Sequence, residues 1–157
     1  MLVYLVDDRG PRGEYASFLN AYAQALPHMT LAVYTHWATL FEAIQVERPA
    51  CLLADMRFDE TPAEKLYGDI VALANTEQFC GNLERAEAQI RGMQGLIIIR
   101  ALRERGIDVP AILFAPFSQD VRARILTQLA PIQIIDGLVF REVQTALKLA
   151  LGTSQNR

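Results

Sequence analysis

Apolar residues fall along this chain in short unbroken runs, separated by stretches in which they recur at helical spacing. Leu2 to Val6 is the first run, ended abruptly by Asp7 and Asp8. A continuous run of that length reads as a parallel strand buried on both faces rather than an alternating, half-exposed one. After the turn residues Gly10, Pro11 and Gly13, apolar side chains recur at Tyr15, Phe18, Leu19, Tyr22 and Leu26, offsets of 0, 3, 4, 7 and 11. That spacing is one face of a helix, stopped by Pro27. Leu31 to Tyr34 predicts a second strand, and Trp37, Leu40, Phe41 and Ile44 a second helix that ends by Pro49.

Cys51 to Ala54 predicts a third buried strand, again ended by an aspartate, Asp55. Ala111 to Ala115 predicts a fourth, and Ile132 to Ile135 a fifth ending at Asp136. Helical patterns lie between and after them: Leu96 to Arg105 closed by Gly106, Val121/Ile125/Leu129, and Phe140/Val143/Leu147/Leu151 closed by Gly152. Five strands alternating with helices predict an α/β fold, a doubly wound parallel sheet with helices on both faces. Residues 1–152 form the one domain of this reading, and 153–157 a flexible C-terminal tail.

At 157 residues the chain is about thirty longer than such a fold requires. The excess falls in an insertion of about 58–94, following the third strand. Thr61-Pro62-Ala63-Glu64 reads as a capping box with Pro at the first helical position. Leu66, Ile70, Leu73 and Ala74 supply that helix with an apolar face. Cys80-Gly81-Asn82 then reads as its stop and the next N-cap, and Leu83, Ala86, Ile90 and Met93 as a second helix. A helical hairpin follows, its second arm running on into the helix from Leu96, with a break at Gly92 to Gly95 as the alternative.

Composition narrows the class. With 52% hydrophobic and 21% charged residues, the chain can bury a core and is not a disordered tail. Fifteen Lys and Arg against eighteen Asp and Glu give a net charge of −3, which supplies no basic field for nucleic acid. Cys51 and Cys80 are too few for a disulfide framework and have no ligand-like spacing to His28 or His36, so a reducing, cytoplasmic setting is expected. No apolar stretch is long enough to span a membrane. Trp37, Phe18 and Phe41 lie on core-facing stripes, His28 and His36 read as surface or capping residues, and Arg100, Arg103, Arg105, Arg122 and Arg124 read as solvated faces.

The candidate chemistry sits at the strand ends. In an open parallel sheet, residues that terminate neighbouring strands converge where ligands bind. A single strand-end aspartate most simply caps its own loop. Asp7, Asp8 and Asp55, on two strands, instead form a set of hard oxygens whose mutual repulsion a divalent cation such as Mg²⁺ would relieve.

On Leu2–Asp8, Cys51–Asp55, and Gly95-Leu96 through Glu104 followed by Val109–Leu113, the chain resembles the receiver domain of two-component response regulators. The resemblance covers nearly everything outside residues 58–94. It implies a flavodoxin-like (CheY-like) sheet of order 2-1-3-4-5. It also implies that Asp55 is the phosphoacceptor, and that Asp7, Asp8 and Asp55 hold Mg²⁺ together with the backbone carbonyl of Arg57.

Three positions depart from that family. Ala115 stands where it has a Thr or Ser hydroxyl, Gln133 at its aromatic switch position, and Asp136 where it has a Lys, with Gly137 in place of the following Pro. A carboxylate in place of an ammonium at about 4 Å would be worth on the order of 4 kcal/mol of repulsion at an effective dielectric near 20. Ser118 is a poor replacement for the lost hydroxyl, because it is placed to cap the next helix.

The expectation is therefore an atypical stand-alone receiver, a pseudo-receiver that is not an enzyme and acts in signal transduction as a protein–protein interaction module. Its output would pass to a partner, a histidine kinase or a downstream signalling protein, or through a homodimer, with no nucleic-acid or membrane partner. The surface would be the last two helices, as is common in the family, or the inserted hairpin. The alternative is a receiver phosphorylated on Asp55 by a histidine kinase with Mg²⁺. A small metal-dependent phosphatase or nucleotide-binding enzyme is remote, since no phosphate loop, nucleophile elbow or general base is present.

Overall fold

Alternation along each strand decides the layering. In the computed structural model, which describes residues 1–153, five strands form one all-parallel sheet of order β2-β1-β3-β4-β5. They are β1 (Leu2–Val6), β2 (Thr30–Tyr34), β3 (Cys51–Asp55), β4 (Ala111–Phe114) and β5 (Ile132–Ile135). Val3, Leu5, Leu53 and Ile112 point to one face, where Leu19 of α1 (Glu14–Ala21) and Val143 and Leu147 of α7 (Phe140–Thr153) cover them. Tyr4, Val6, Leu52 and Leu113 point to the other, under Leu40 of α2 (Trp37–Val46), Ile98 and Leu102 of α5 (Gln94–Glu104) and Ile125 of α6 (Gln119–Gln128). Burial on both faces is why the central strands read as unbroken apolar runs.

The strand and helix expectations hold with small shifts. The α1 stripe outlasts the α-helix: beyond Ala21 the chain continues in turns that still deliver Leu26 into the core. At the other end, α7 runs through Gly152 to Thr153 rather than closing at Gly152. Of the expected tail, residues 154–157 lie outside the described residues.

The insertion departs more. Thr61 caps no helix: residues Ala63–Lys65 make a single 3-10 turn, and the first insert helix, α3, spans only Ile70–Ala74. The reason is non-local. The Gln94 side chain accepts from the Tyr67 N–H at 2.6 Å and donates to the Tyr67 carbonyl at 3.1 Å, holding the backbone there as a sheet partner would. A helix cannot pass through a residue whose main chain is engaged in this way. Helix α3 starts afterwards, with Asp69 accepting from the Ala72 N–H at 2.9 Å.

The second arm, α4 (Leu83–Gly92), is capped by Asn82 as its sequence indicates, and packs on α3 around Ala74, Phe79 and Ala86. It is not continuous with α5. Met93 (φ −122°, ψ 15°) separates them. The Gly95 N–H leaves the helical ladder to donate to the Met56 carbonyl at 3.1 Å, so the first turn of α5 is docked on the exit of β3. Only glycine fits there, because a Cβ at position 95 would lie 1.9 Å from the Asp55 carbonyl oxygen.

Two further groups differ from the sequence reading. The first arm of the hairpin spends its apolar stripe within the molecule: Leu66, Tyr67, Ile70 and Leu73 pack on the core, and the Tyr67 ring meets Trp37 and Phe41 of α2 at 5.0 and 5.8 Å, while Leu83 of the second arm is exposed. Two of the arginines read as solvated, Arg103 and Arg122, are partly buried ties, while Arg105 is exposed as expected. Arg103 donates to the carbonyls of Leu129, Ile107, Val109 and Pro131 at 2.7–3.0 Å, Arg122 to that of Ile134 at 2.6 Å, and Arg105 lies over the rings of Phe41 and Tyr67.

Candidate functional site

β1 and β3 are paired neighbours, with Val6 opposite Ala54, so the residues that leave these strands meet beyond their carboxyl ends. Asp7, Asp8 and Asp55 each offer an oxygen within 4.8 Å of the others. Arg57 and Tyr15 join them in lining a cavity of about 190 Å³, with Arg9, Glu14 and Asp59.

Asp7 is the most enclosed, 1% exposed. Its Oδ1 accepts the Arg9 N–H at 3.0 Å, whereas its Oδ2 is buried with no hydrogen-bond partner. Gly13 makes this packing possible, since a Cβ there would lie 2.1 Å from that Oδ2. Asp8 accepts the Glu60 N–H through Oδ2 at 2.5 Å. Asp55 accepts the Tyr15 hydroxyl through Oδ1 at 3.1 Å, and the backbone N–H groups of Met56 and Arg57 lie where they favour its ionised form.

Electrostatics follow from this enclosure. Burial pushes the Asp55 carboxyl up to about 6, and the neighbouring Asp7 pushes the same way, against the hydrogen bond from Tyr15. Burial also raises Asp7 and Asp8, with Glu60 and Asp59 adding to the rise at Asp8. Arg9 offsets this only in part at Asp7 and Asp8. Arg57 is paired with Asp59 at 3.1 Å and Arg9 with Glu60 at 3.3 Å, all on exposed side chains where such pairs contribute little.

A divalent cation fits this donor set. Three carboxylates supply hard oxygens, and the unpartnered Asp7 Oδ2 is a buried polar atom whose desolvation nothing in the protein offsets. Asp7, Asp8 and Asp55 would be its side-chain ligands.

The three altered positions do not converge on the cavity. Ala115 is buried, its methyl group in the core and its N–H donating to the Ile135 carbonyl at 2.9 Å. Gln133 is tied to α7 through a 2.9 Å hydrogen bond to the Ala146 carbonyl. Asp136 is exposed and lines a separate groove with Gln133, Arg122 and Arg141. Asp136 is not one of the residues that line the acidic cavity. Ser118 takes the N-cap position of α6, yet its hydroxyl makes no capping bond.

Tyr15 is the site residue that the sequence did not mark. It sits in the helical stripe like any core aromatic, and its ring packs against Phe114 at 4.6 Å. The one available signal was chemical: a tyrosine on a buried stripe must find its hydroxyl a partner.

No protein-family model matches the chain, and no curated protein matches it in sequence. Solved structures do match. The receiver domain of the Francisella response regulator 1452 superposes with a TM-score of 0.63 at 10% identity, over 98% of each chain. The signal receiver domain of a putative LuxO repressor protein from Vibrio parahaemolyticus gives 0.65 at 13% identity, over 99% of this chain and 92% of that one. The receiver domain of nitrogen regulatory protein C, in its apo form in solution, gives 0.62 at 19% identity, over 98% and 96%. With the same five-stranded order and near-complete coverage in each direction, the chain has the fold of response-regulator receiver domains.

Proposed function

We propose that this protein is an atypical receiver domain in signal transduction, a protein–protein interaction module that holds Mg²⁺ on Asp7, Asp8 and Asp55 and whose phosphorylation switching is impaired. The observation that carries the reading is the contrast within one site. The acidic cluster is complete, while Ala115, Gln133 and Asp136 put no donor into its cavity. In a receiver the cation would neutralise the carboxylates and the incoming phosphoryl oxygens, and the hydroxyl and ammonium would then couple the modified aspartate to a change of shape. Here only the first of these functions retains its residues. The Arg57 backbone carbonyl would complete the protein ligands. The partner would be a histidine kinase, a downstream signalling protein or a second copy, and the module would bind rather than catalyse.

One observation favours a second reading, phosphorylation of Asp55 itself. Its carboxylate lines the cavity beside Arg57, and Tyr15 offers a neutral donor to it. Incubation with acetyl phosphate or beryllofluoride plus Mg²⁺, followed by intact mass and Trp37 fluorescence, separates the two. The first reading expects Mg²⁺ binding without an adduct or a fluorescence change. An adduct that disappears in Asp55→Ala establishes the second.

A further inference from the structure

Residues 57–61 bring the start of the inserted hairpin against the acidic site, whose cavity Arg57 and Asp59 line. On the site side, the Glu60 N–H donates to Asp8 Oδ2 at 2.5 Å and the Glu60 carboxylate pairs with Arg9 at 3.3 Å. On the hairpin side, the Arg91 guanidinium of α4 donates to the carbonyls of Phe58 and Thr61, reaches that of Asp59 at 3.4 Å, and is held by Glu87 at 2.7 Å. The Phe58 N–H returns a hydrogen bond to the Arg91 carbonyl at 3.0 Å, and the Phe58 side chain is fully buried. Arg91 thus gathers the carbonyls of Phe58, Asp59 and Thr61 on either side of Glu60, whose N–H holds a candidate cation ligand. A planar, always charged fork suits that task, since it can satisfy several carbonyls at once.

We propose that this segment makes the inserted hairpin the output element of the acidic site: cation occupancy at Asp8 is transmitted through Glu60 and Arg91 to α4. The inference rests on the cation reading of the site. Without a cation, Asp8 is repelled by the carboxylates of Glu60, Asp59 and Asp7 and can relieve that repulsion by swinging away from Glu60. With a cation in place, its carboxylate is fixed and the Glu60 N–H stays bound. Opening of residues 57–61, and of the α4 turn tied to them, then requires loss of the cation. The alternative route through β4 and β5 has Ala115 and Gln133 at its two stations, and neither side chain reaches the cavity.

The test is hydrogen exchange by mass spectrometry on the full chain with and without Mg²⁺, with Mg²⁺ binding measured separately by calorimetry. At about ten times the dissociation constant, an opening that releases the cation slows about tenfold. The expected result is that slowing in residues 56–61 and in α4, with locally exchanging amides of α6 unchanged. In Arg91→Lys, which keeps the charge but loses the fork, the slowing persists at 56–61 and falls to less than half in α4. Mg²⁺ binding without any change in α4 of the wild-type chain overturns the coupling and leaves the cation site standing. Absence of Mg²⁺ binding overturns both.

Discussion

The Tyr15 hydroxyl donates to Asp55 Oδ1 at 3.1 Å, joining the first turn of α1 to the last residue of β3 across forty positions of sequence. Its ring rests on Phe114, so the donor is fixed by the core and not by a loop. Such a bond favours the ionised carboxylate against the burial that opposes it.

Tyr15→Phe removes the donor and leaves the ring in place. The substitution is expected to cost about 1.5 kcal/mol at pH 7.5 and less at pH 5, where Asp55 is largely protonated. Urea unfolding at the two pH values checks this, and an equal loss at both would refute the assignment.

The raised Asp55 carboxyl sets the sign of a pH dependence. Its folded value of about 6 lies above the usual 3.8, so between the two the folded state binds more protons than the unfolded chain. Stability therefore falls as pH rises from about 4 through about 6, by on the order of 2 kcal/mol once partial solvent exposure is allowed for. Asp7 and Asp8, shifted the same way, reinforce the trend. Unfolding curves with a chelator present should show this fall, and Asp55→Asn should flatten it and be more stable than the parent at pH 7.5.

Gly13 and Gly95 are both required, for different reasons. In Gly95→Ala the new Cβ meets backbone, the Asp55 carbonyl, and a loss of about 3 kcal/mol is expected. In Gly13→Ala it meets a side-chain oxygen of Asp7, which can give way. The expected outcome is a smaller loss of stability with a roughly tenfold weaker hold on Mg²⁺. Thermal unfolding and calorimetry distinguish the two.

The central strands were legible because burial on both faces leaves an unambiguous trace, and their terminal aspartates because a strand end is a place in the fold as well as in the sequence. Asn82 was legible as a cap for the same local reason. What was hidden depends on partners distant in sequence. The first insert helix fails where Gln94 engages the backbone of Tyr67, 27 residues away. Arg103 carries the charge of a solvated residue yet ties carbonyls up to 28 residues distant. Asp136 was assigned to the site only by its match to the family's strand-end Lys, and in the fold it is exposed and lines another groove.

Arg103 supplies a stability test that does not involve the acidic site. Arg103→Met leaves four carbonyls of the loops before β4 and β5 without their donor and should lose about 3 kcal/mol. Arg100→Met, on the exposed side of the same helix, should change stability by less than about 0.5 kcal/mol in the same urea titration.

The central claim, that Asp7, Asp8 and Asp55 form a divalent-cation site, is tested most directly by calorimetric titration of Mg²⁺ into the full chain at pH 7.5. The site should fill with a single ion per chain, and Asp7→Asn and Asp55→Asn should each abolish that binding while retaining the fold by circular dichroism. No binding in the wild-type chain, or binding unchanged in Asp7→Asn, would contradict it.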